Sequence, residues 1–511
     1  MQVKEEEAFG KFRSFLWPIH GKELKKFVPM FLIFFLISFV YNLLRASKDT
    51  MLVTAKASGA EAIPFIKVWF MLPMAVVMTY VFTKISNRFS REKSFYAMLS
   101  IFLGFFFIFT FFLYPNREAL HPHAFADQVQ SYLPLGLKGF VALFRNWVFS
   151  AFYVMSELWS AIILSMLFWG FANQVTNLKE AKRFYGLFSL GANISGIFAG
   201  QAITLLSSNT FIPSLPYGST AWEQSVFMLN TTILLCGIII LYLFRRMHKN
   251  VLFEPAAAPK KAAKIKLSLA ENFRYLSNSK YLICIAMIVL TYNLSINLVE
   301  VVWKNQLKEL YPDPSDFNYF MGSVMTYTGM LATFTSLFIT GSLLRLFSWT
   351  TCALIPPIVM LGTGACFFFV VLSQGMGLNY FTLALGTSPL FLSVILGTIQ
   401  NCLARASKYT LFDATKELSF VPLSKECKLK GKSAIDGVGS RLGKSGGSLL
   451  HQALFLIFGT ASAATPVVAL MFFGTAALWI GSVFSLGKKF SSVTEEKPPL
   501  PVSPEASRAN A

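Results

Sequence analysis

Twelve apolar runs, each long enough to cross a bilayer and each followed by a polar break, constrain this chain more than any other feature. They lie near residues 27–44, 62–85, 94–114, 140–175, 184–207, 224–244, 281–303, 317–343, 349–373, 379–412, 433–459 and 463–487. A spanning helix needs about 17 to 25 apolar residues. The expected fold is therefore an all-α polytopic membrane protein of about twelve transmembrane helices. The run at 140–175 fits one steeply tilted helix or two short ones. Composition agrees, since 54 % of residues are hydrophobic and only 14 % charged, against about 25 % charged in soluble domains. The 53 Phe residues point to lipid-facing surface rather than a packed aqueous core.

Positive charge tests the map independently, because cytoplasmic loops collect Lys and Arg. With both termini in the cytoplasm, 32 of the 45 Lys and Arg fall in 1–26, 84–93, 176–183, 245–280, 344–348, 413–432 and the tail. Seven fall in outside loops: Arg45, Lys48, Lys56, Arg117, Lys138, Lys304 and Lys308. The net charge of +20 thus reads as topology rather than as a footprint for a nucleic acid polymer. Residues 245–280 carry Arg245-Arg246, two prolines and four lysines between 260 and 266, which suits a flexible cytoplasmic linker. The expected organisation is a cytoplasmic segment 1–26, a six-helix half 27–244, the basic linker 245–280, a second six-helix half 281–487 and a disordered Pro-rich tail 488–511. No removable secretory signal is expected, because Lys4 meets Glu5-Glu6-Glu7 and no small-residue cleavage site follows the first run.

Two internal echoes suggest related halves. Tyr41-Asn42-Leu43 recurs as Tyr292-Asn293-Leu294, an offset that sets Asp49 opposite Glu300. Arg45-Ala46-Ser47-Lys48 recurs as Arg405-Ala406-Ser407-Lys408. Parallel six-helix repeats are the pattern of major-facilitator-like transporters, which bind substrate between the halves near the midplane. Six basic residues remain inside spans: Lys67, Arg145, Arg405, Lys408, Arg441 and Lys444. The clearest acids there are Glu157, Glu300 and Asp436, with Asp49 and Asp413 at helix ends. A charge at the bilayer centre costs at least about 2.5 to 3.5 kcal/mol on insertion scales, so such groups face a cavity or a partner. Their surplus of positive charge suits a multiply charged anion. The plainer alternatives are snorkelling for Lys67 and Arg145, and structural pairing with Asp413 for Arg405 and Lys408. Trp147, Tyr153, Trp159, Trp169, Tyr292 and Trp303 offer faces for stacking a base, though filling the core is the commoner use.

Other motifs carry less. Gly443-Lys444-Ser445-Gly446-Gly447 invites a P-loop reading, but Val438 stands where that motif requires Gly and the segment is a hydrophobic span. A glycine-lined helix that lets the backbone and Lys444 approach phosphate is the better reading. His121-Pro122-His123 offers too few ligands for a metal. The six cysteines (236, 284, 352, 366, 402 and 427) lack metal spacing and read as buried free thiols. No nucleophile–base pattern marks an enzyme, and no cofactor is expected. The competing functions are a carrier for another phosphorylated organic anion, such as a sugar phosphate, and a nucleotide-binding membrane protein that does not transport.

Five stretches in order carry a resemblance: Pro64-Phe65-Ile66-Lys67-Val68-Trp69, residues 152–159 around Ser156-Glu157, residues 167–174 around Trp169-Gly170, residues 296–304 around Val299-Glu300, and residues 430–436 with 443–447. They closely resemble the plastid and bacterial-parasite ATP/ADP translocases, the nucleotide transporters of plastids, chlamydiae and rickettsiae, over about residues 10–490. The resemblance implies a twelve-helix, major-facilitator-like carrier with two lysines and two glutamates essential to nucleotide handling. They fall on Lys67, Glu157, Glu300 and Lys444. Lys48, Arg441, Lys408, Arg145 and Asn297 complete the expected substrate-binding set. The partners implied are ATP and ADP in a lipid bilayer, with GTP, CTP, UTP and protons as further candidates. The resemblance also implies a plastid envelope or bacterial inner membrane, and the absence of a Ser- and Arg-rich transit peptide favours the bacterial one. Where the exchangers usually read Arg-Asp-Thr-Lys-Asp, this chain has Arg45-Ala46-Ser47-Lys48-Asp49, one acid fewer. Proton-coupled uptake of nucleoside triphosphates therefore stands beside ATP-for-ADP exchange as an expected mode.

Overall fold

The computed structural model describes residues 17–207, 210–250, 279–374, 386–423, 431–432, 435 and 440–495. Among these residues there are helices and short connections and no strand. The chain runs through α1 (Gly21–Val53), α2 (Ala62–Arg88), α3 (Glu92–Leu113), the short α4 (His123–Tyr132) and α5 (Lys138–Arg145), then α6 (Trp147–Val175), α7 (Lys179–Leu206) and α8 (Ala221–Lys249). It continues through α9 (Lys280–Leu310), α10 (Pro314–Leu346), α11 (Trp349–Ser373), α12 (Pro389–Ser419), α13 (Ser440–Phe458) and α14 (Ala461–Ser492). Eleven of these are long and apolar enough to cross a membrane. The twelfth expected span corresponds to α13, whose apolar part, Ser445–Phe458, is shorter than a full span among the described residues. Most of the linker 245–280 and the tail beyond Glu495 lie outside the described residues.

The structure corrects the sequence map at three places. The run at 140–175 divides at Asn146, whose φ of −113° and ψ of 46° leave the helical region. Arg145 therefore closes the short α5 and is not inside a span. α1 and α9 run 33 and 31 residues, or about 45 to 50 Å at 1.5 Å per residue. Arg45, Lys48, Lys304 and Lys308, read as outside loop residues, are accordingly helical. Met51-Leu52-Val53 renews the apolar pattern after Lys48-Asp49, and Lys304 pairs one turn back with Glu300. Finally, not every cysteine is buried: the five described ones are free thiols, but Cys366 is exposed, while Cys427 lies outside the described residues.

Residue contacts divide the chain into two compact units, and the division does not follow the linker. One takes Met1–Ala263 with Leu307–Thr333; the other takes Lys264–Gln306 with Phe334–Ala511. In the first unit α1 packs against α6, α7 and α8. Residues 46–53 are buried on every side, as a helix enclosed by other helices must be. Trp159 Nε1 donates to Ile37 O at 3.1 Å and fixes α6 on α1. Glycines bring α7 against the first part of α10: a Cβ on Gly200 would meet Gly322 O at 2.5 Å, and one on Gly329 would meet Asn193 O at 3.0 Å. Small residues that let backbones meet are a main source of helix association in lipid. Thr50 Oγ1 donates to Asn318 Oδ1 at 2.9 Å, and Asn318 Nδ2 donates to Ser207 Oγ at 2.7 Å, so a buried amide ties α1, α7 and α10 together.

In the second unit α11 packs against both α12 and α14. Trp303 Nε1 donates to Val394 O at 3.2 Å, its ring lying where Gly397 leaves room. α13 lies on α9 through Gly443 and Gly447, where added Cβ atoms would meet the Cβ of Asn293 at 2.8 Å and of Asn297 at 3.1 Å. These two glycines thus serve helix packing, whereas Gly446 faces open space.

Five spans contain π-helical turns: Ile66–Phe70, Phe109–Leu113, Ser160–Phe168, Thr335–Ile339 and Lys408–Phe412. Four of them fall in the second and fourth spans of each six-helix set, an echo of the repeat in backbone form. Such turns favour functional positions. Lys67 and Lys408 each sit in one.

Gly200→Leu is expected to force α7 from α10 and to destabilise the purified protein by about 1 to 3 kcal/mol, the usual cost of overpacking. Gly104→Leu, where nothing lies within 4 Å, is the control. Equal melting temperatures for the two variants in detergent would show that the glycine contact is not a packing constraint.

Candidate functional site

The first unit holds a charged cluster where α1 meets α6. Tyr153 and Glu157 are one helical turn apart and therefore share a face. Lys48 lies 3.0 Å from Glu157 Oε1, 2.7 Å from Asp49 Oδ1 and 3.9 Å from the centre of the Tyr153 ring. Its side chain is only 3 % exposed, while that of Glu157 is 29 % exposed. Lys67, from the π turn of α2, adds a positive charge within electrostatic reach of Glu157. Two acids therefore surround one directly bonded base, with a second base nearby.

The second unit holds a cluster of opposite balance where α9 meets α12. Glu300 Oε1 accepts from Lys304 Nζ at 2.9 Å and from Arg405 at 3.0 Å. Glu300 precedes Lys304 by four residues, the favourable order for a pair on one helix. The Lys304 side chain is 2 % exposed. Here one acid serves two bases. The offset that aligned Asp49 with Glu300 thus falls on the two clusters, one in each unit.

The remaining expected residues divide. Lys408 pairs with Asp413 at 3.1 Å, both partly exposed. Arg145 pairs with Asp127 of α4 at 2.6 Å, outside the spans, and joins neither cluster. Asn297 bonds back to Asn293 O at 3.4 Å and lies under Gly447 at the α9–α13 contact. Arg441 and Lys444 fall on the first turns of α13, but their side chains lie outside the described residues, as does Asp436. Of the aromatics, Trp159 and Trp303 are spent on the helix contacts above, and Tyr292 packs against Phe412 and Trp479. Trp169 joins a ring cluster with Phe34 and Tyr185, and Trp147 donates to Leu120 O. Tyr153 lies against a cluster cation, Lys48.

Lys304 escaped the sequence reading because it was placed in a loop, and Arg405 was flagged without a site role. Both were reachable. Lys304 stands four residues after Glu300, and Arg405 begins the repeat of the segment that contains Lys48. Among the described residues no group of three or more His, Cys, Asp or Glu could hold a metal ion.

Comparison with known proteins decides the family. The TLC ATP/ADP transporter family matches residues 2–490. The chain belongs to that family. It is similar to ADP,ATP carrier protein 1 of Chlamydia trachomatis serovar D, with 47 % identity over 97 % of this chain and 94 % of that protein. It is 41 % identical to ADP,ATP carrier protein 2 of Chlamydia pneumoniae over 96 % of this chain and 94 % of that one. The chloroplastic ADP,ATP carrier protein 2 of Arabidopsis thaliana is 39 % identical over 93 % of this chain and 76 % of its own length. Among solved structures, a bacterial homologue of the iron transporter ferroportin, inward-facing, aligns with a TM-score of 0.50 at 12 % identity, over 93 % of this chain and 99 % of that one. A D-xylose–proton symporter aligns with a TM-score of 0.50 at 11 % identity, over 91 % and 97 %. These likenesses concern the fold alone. The family is one of carriers, not of enzymes.

The clusters set an energetic test. Glu300→Gln would leave the buried Lys304 and the partly buried Arg405 without their shared carboxylate, at a cost below the about 3 to 5 kcal/mol of breaking a fully buried pair from one side. Adding Arg405→Gln to that variant should recover part of the loss. Thermal melts of the single and double variants measure the coupling, and strictly additive losses would mean that the pair does not hold α9 to α12.

Proposed function

We propose that this protein carries ATP and ADP across a membrane in exchange for one another, with nucleotide phosphates competing against glutamates for buried cations. Membership of the ATP/ADP transporter family supports the reading, as do the chlamydial relatives named ADP,ATP carriers. The observation that carries it is the pair of clusters, Lys48 with Asp49 and Glu157, and Lys304 and Arg405 with Glu300. A phosphate oxyanion makes the same charge-assisted bonds to Lys and Arg as a carboxylate does. Each cluster is thus a resting form of an anion site, closed by the protein's own acid. Lys67 and Lys444 are the further cations assigned to the phosphates, with Arg441, Lys408 and Lys48 in support.

Exchange follows from the cost of the intermediate. A buried cation deprived of its partner is penalised by several kcal/mol. Exchange therefore requires that the empty, glutamate-closed carrier reorient more slowly than the nucleotide-loaded one, with the uncompensated cation as the barrier between the two closures. Binding shifts the population between the two access states only through such differential interactions. We assign the protein to a bacterial inner membrane with both termini cytoplasmic, in line with the chlamydial relatives and the positive-inside count.

Two measurements test this reading. Uptake of α-labelled ATP into vesicles holding the purified protein is expected only when ADP is loaded inside. Uptake into empty vesicles that rises with an inward proton gradient would instead mean proton-driven net import, and inhibition by sugar phosphates but not by nucleotides would mean a different cargo. In direct binding assays Lys444→Ala is expected to abolish nucleotide binding, and wild-type affinity would remove Lys444 from the site.

A further inference from the structure

His121-Pro122-His123 has no place in the transport reading, yet the fold builds a cavity around it. The single turn Arg117–Leu120 and α4 fill the connection between α3 and α5. His121 is 6 % exposed. Its Nε2 and the Nδ1 of His123 are both buried without a hydrogen-bond partner. The two rings lie 5.6 Å apart, nearly perpendicular, with Phe149 of α6 edge-on to His121 at 5.1 Å. Both imidazoles line a cavity of about 160 Å³, together with Lys56, Arg117, Asn146 and Thr54. The positive-inside count assigns this end of the first unit to the outside.

The charges facing His121 come from several elements. Arg117 is held by Glu223 of α8 and donates to Tyr114 O at 3.0 Å. Glu118 sits at the rim, 75 % exposed, 3.7 Å from Arg117 and 3.7 Å from His123. Asp127 of α4 is spent on Arg145. Lys56 approaches from the turn after α1, and Pro314 is the lining residue from α10. Burial foremost, then the charges of His123 and Arg117 against that of Glu118, push His121 down to about 4. It is therefore neutral above that pH, a buried group in positive surroundings with an unused nitrogen.

An unsatisfied buried donor or acceptor costs about 1 to 3 kcal/mol, which an oxyanion would recover at His121 and His123 while meeting Lys56. A cation would meet Lys56 and Arg117 instead. Pockets for whole drug-sized ligands run to about 300 to 1,000 Å³, so this one admits a phosphoryl group and not a nucleoside. We propose that the cavity is an oxyanion subsite for a phosphoryl group, of free phosphate or of a nucleotide, and that His121 takes up a solvent proton when the anion binds. Only the nucleotide source rests on the function proposed above. A bound anion gives the imidazolium a partner and raises its proton affinity, so anion affinity must rise as pH falls toward that of free His121.

Binding of radiolabelled sulfate, whose charge is constant over this range, tests the proposal on the full chain in nanodiscs. Affinity is expected to rise from pH 8 to pH 6 by up to about tenfold per unit. His121→Gln should remove that pH dependence and weaken binding about tenfold, the loss of one charge-assisted hydrogen bond. Lys56→Gln, at an exposed position that does not threaten folding, should weaken it as well. Lys93→Gln, an exposed cation at the opposite end of α3, should leave it intact. Sulfate binding that is the same in the wild type, His121→Gln and Lys56→Gln, or that falls as much in Lys93→Gln as in Lys56→Gln, overturns the subsite. Displacement by phosphate but not by ATP identifies free phosphate as the occupant; displacement by both and not by adenosine extends it to the nucleotide. Displacement by neither overturns the proposal. Intact sulfate binding without any ATP uptake would sink the nucleotide reading and leave the subsite standing.

Discussion

A lysine enclosed in a membrane helix must have an anion beside it, and this fold is arranged around that requirement. Lys48 is almost fully covered, so its ammonium has no water to fall back on. Insertion scales place the uncompensated charge at about 2.5 to 3.5 kcal/mol or more. Asp49, Glu157 and the face of Tyr153 meet the need together. Their convergence requires α6 to lie on α1 at one register, which the Trp159–Ile37 hydrogen bond holds three turns from the charges along α1. The second unit solves the same problem with the same tools: a tryptophan of one helix bonded to a carbonyl of the other, and a glutamate bridging the pair.

Backbone irregularity and small residues let these contacts form. A regular helix carrying Lys67 or Lys408 would present the charge on a different azimuth; a π turn inserts one residue and rotates the rest of the helix by about 100°. Glycine acts on distance rather than direction. Gly443 and Gly447 let α13 reach α9 beside Asn293 and Asn297, the turns that precede Glu300. The segment around Lys444 thus comes close to a charged helix because Gly443 and Gly447 lack side chains, so two of the three glycines in Gly-Lys-Ser-Gly-Gly are set by helix packing.

Much of this was legible in the sequence, for reasons that can be named. Hydropathy places spans reliably because lipid penalises any unsatisfied backbone group. Glu157 and Glu300 stood out because an acid in an apolar run needs a partner. Helix ends were harder. Hydropathy falls at Arg45 and again at Lys304; near Arg45 the Glu157 that meets Lys48 comes from another helix, whereas at Lys304 the pair with Glu300 four residues back was the local signal that the helix continues. Arg145 failed in the opposite sense. The apolar run begins before it, so it resembled a charge inside a span, and only the break at Asn146 and the partner on α4 remove it. The His121–His123 cavity was invisible because Lys56, Arg117 and Asn146 arrive from three different connections.

The opposite balance of the two clusters bears on mechanism. Around Glu300, one carboxylate serves two cations, so on the function proposed above Arg405 or Lys304 would turn to a phosphate while Glu300 keeps the other. Around Lys48 the count is reversed. A phosphate that takes Lys48 leaves Asp49 and Glu157 with Lys67 as the cation within reach of Glu157. Asp49 and Glu157, which share Lys48 in the resting form, must then be met by other groups. On the function proposed above, the two clusters thus differ in what a phosphate must displace: one of two cations from a single carboxylate at Glu300, and the cation shared by two carboxylates at Lys48.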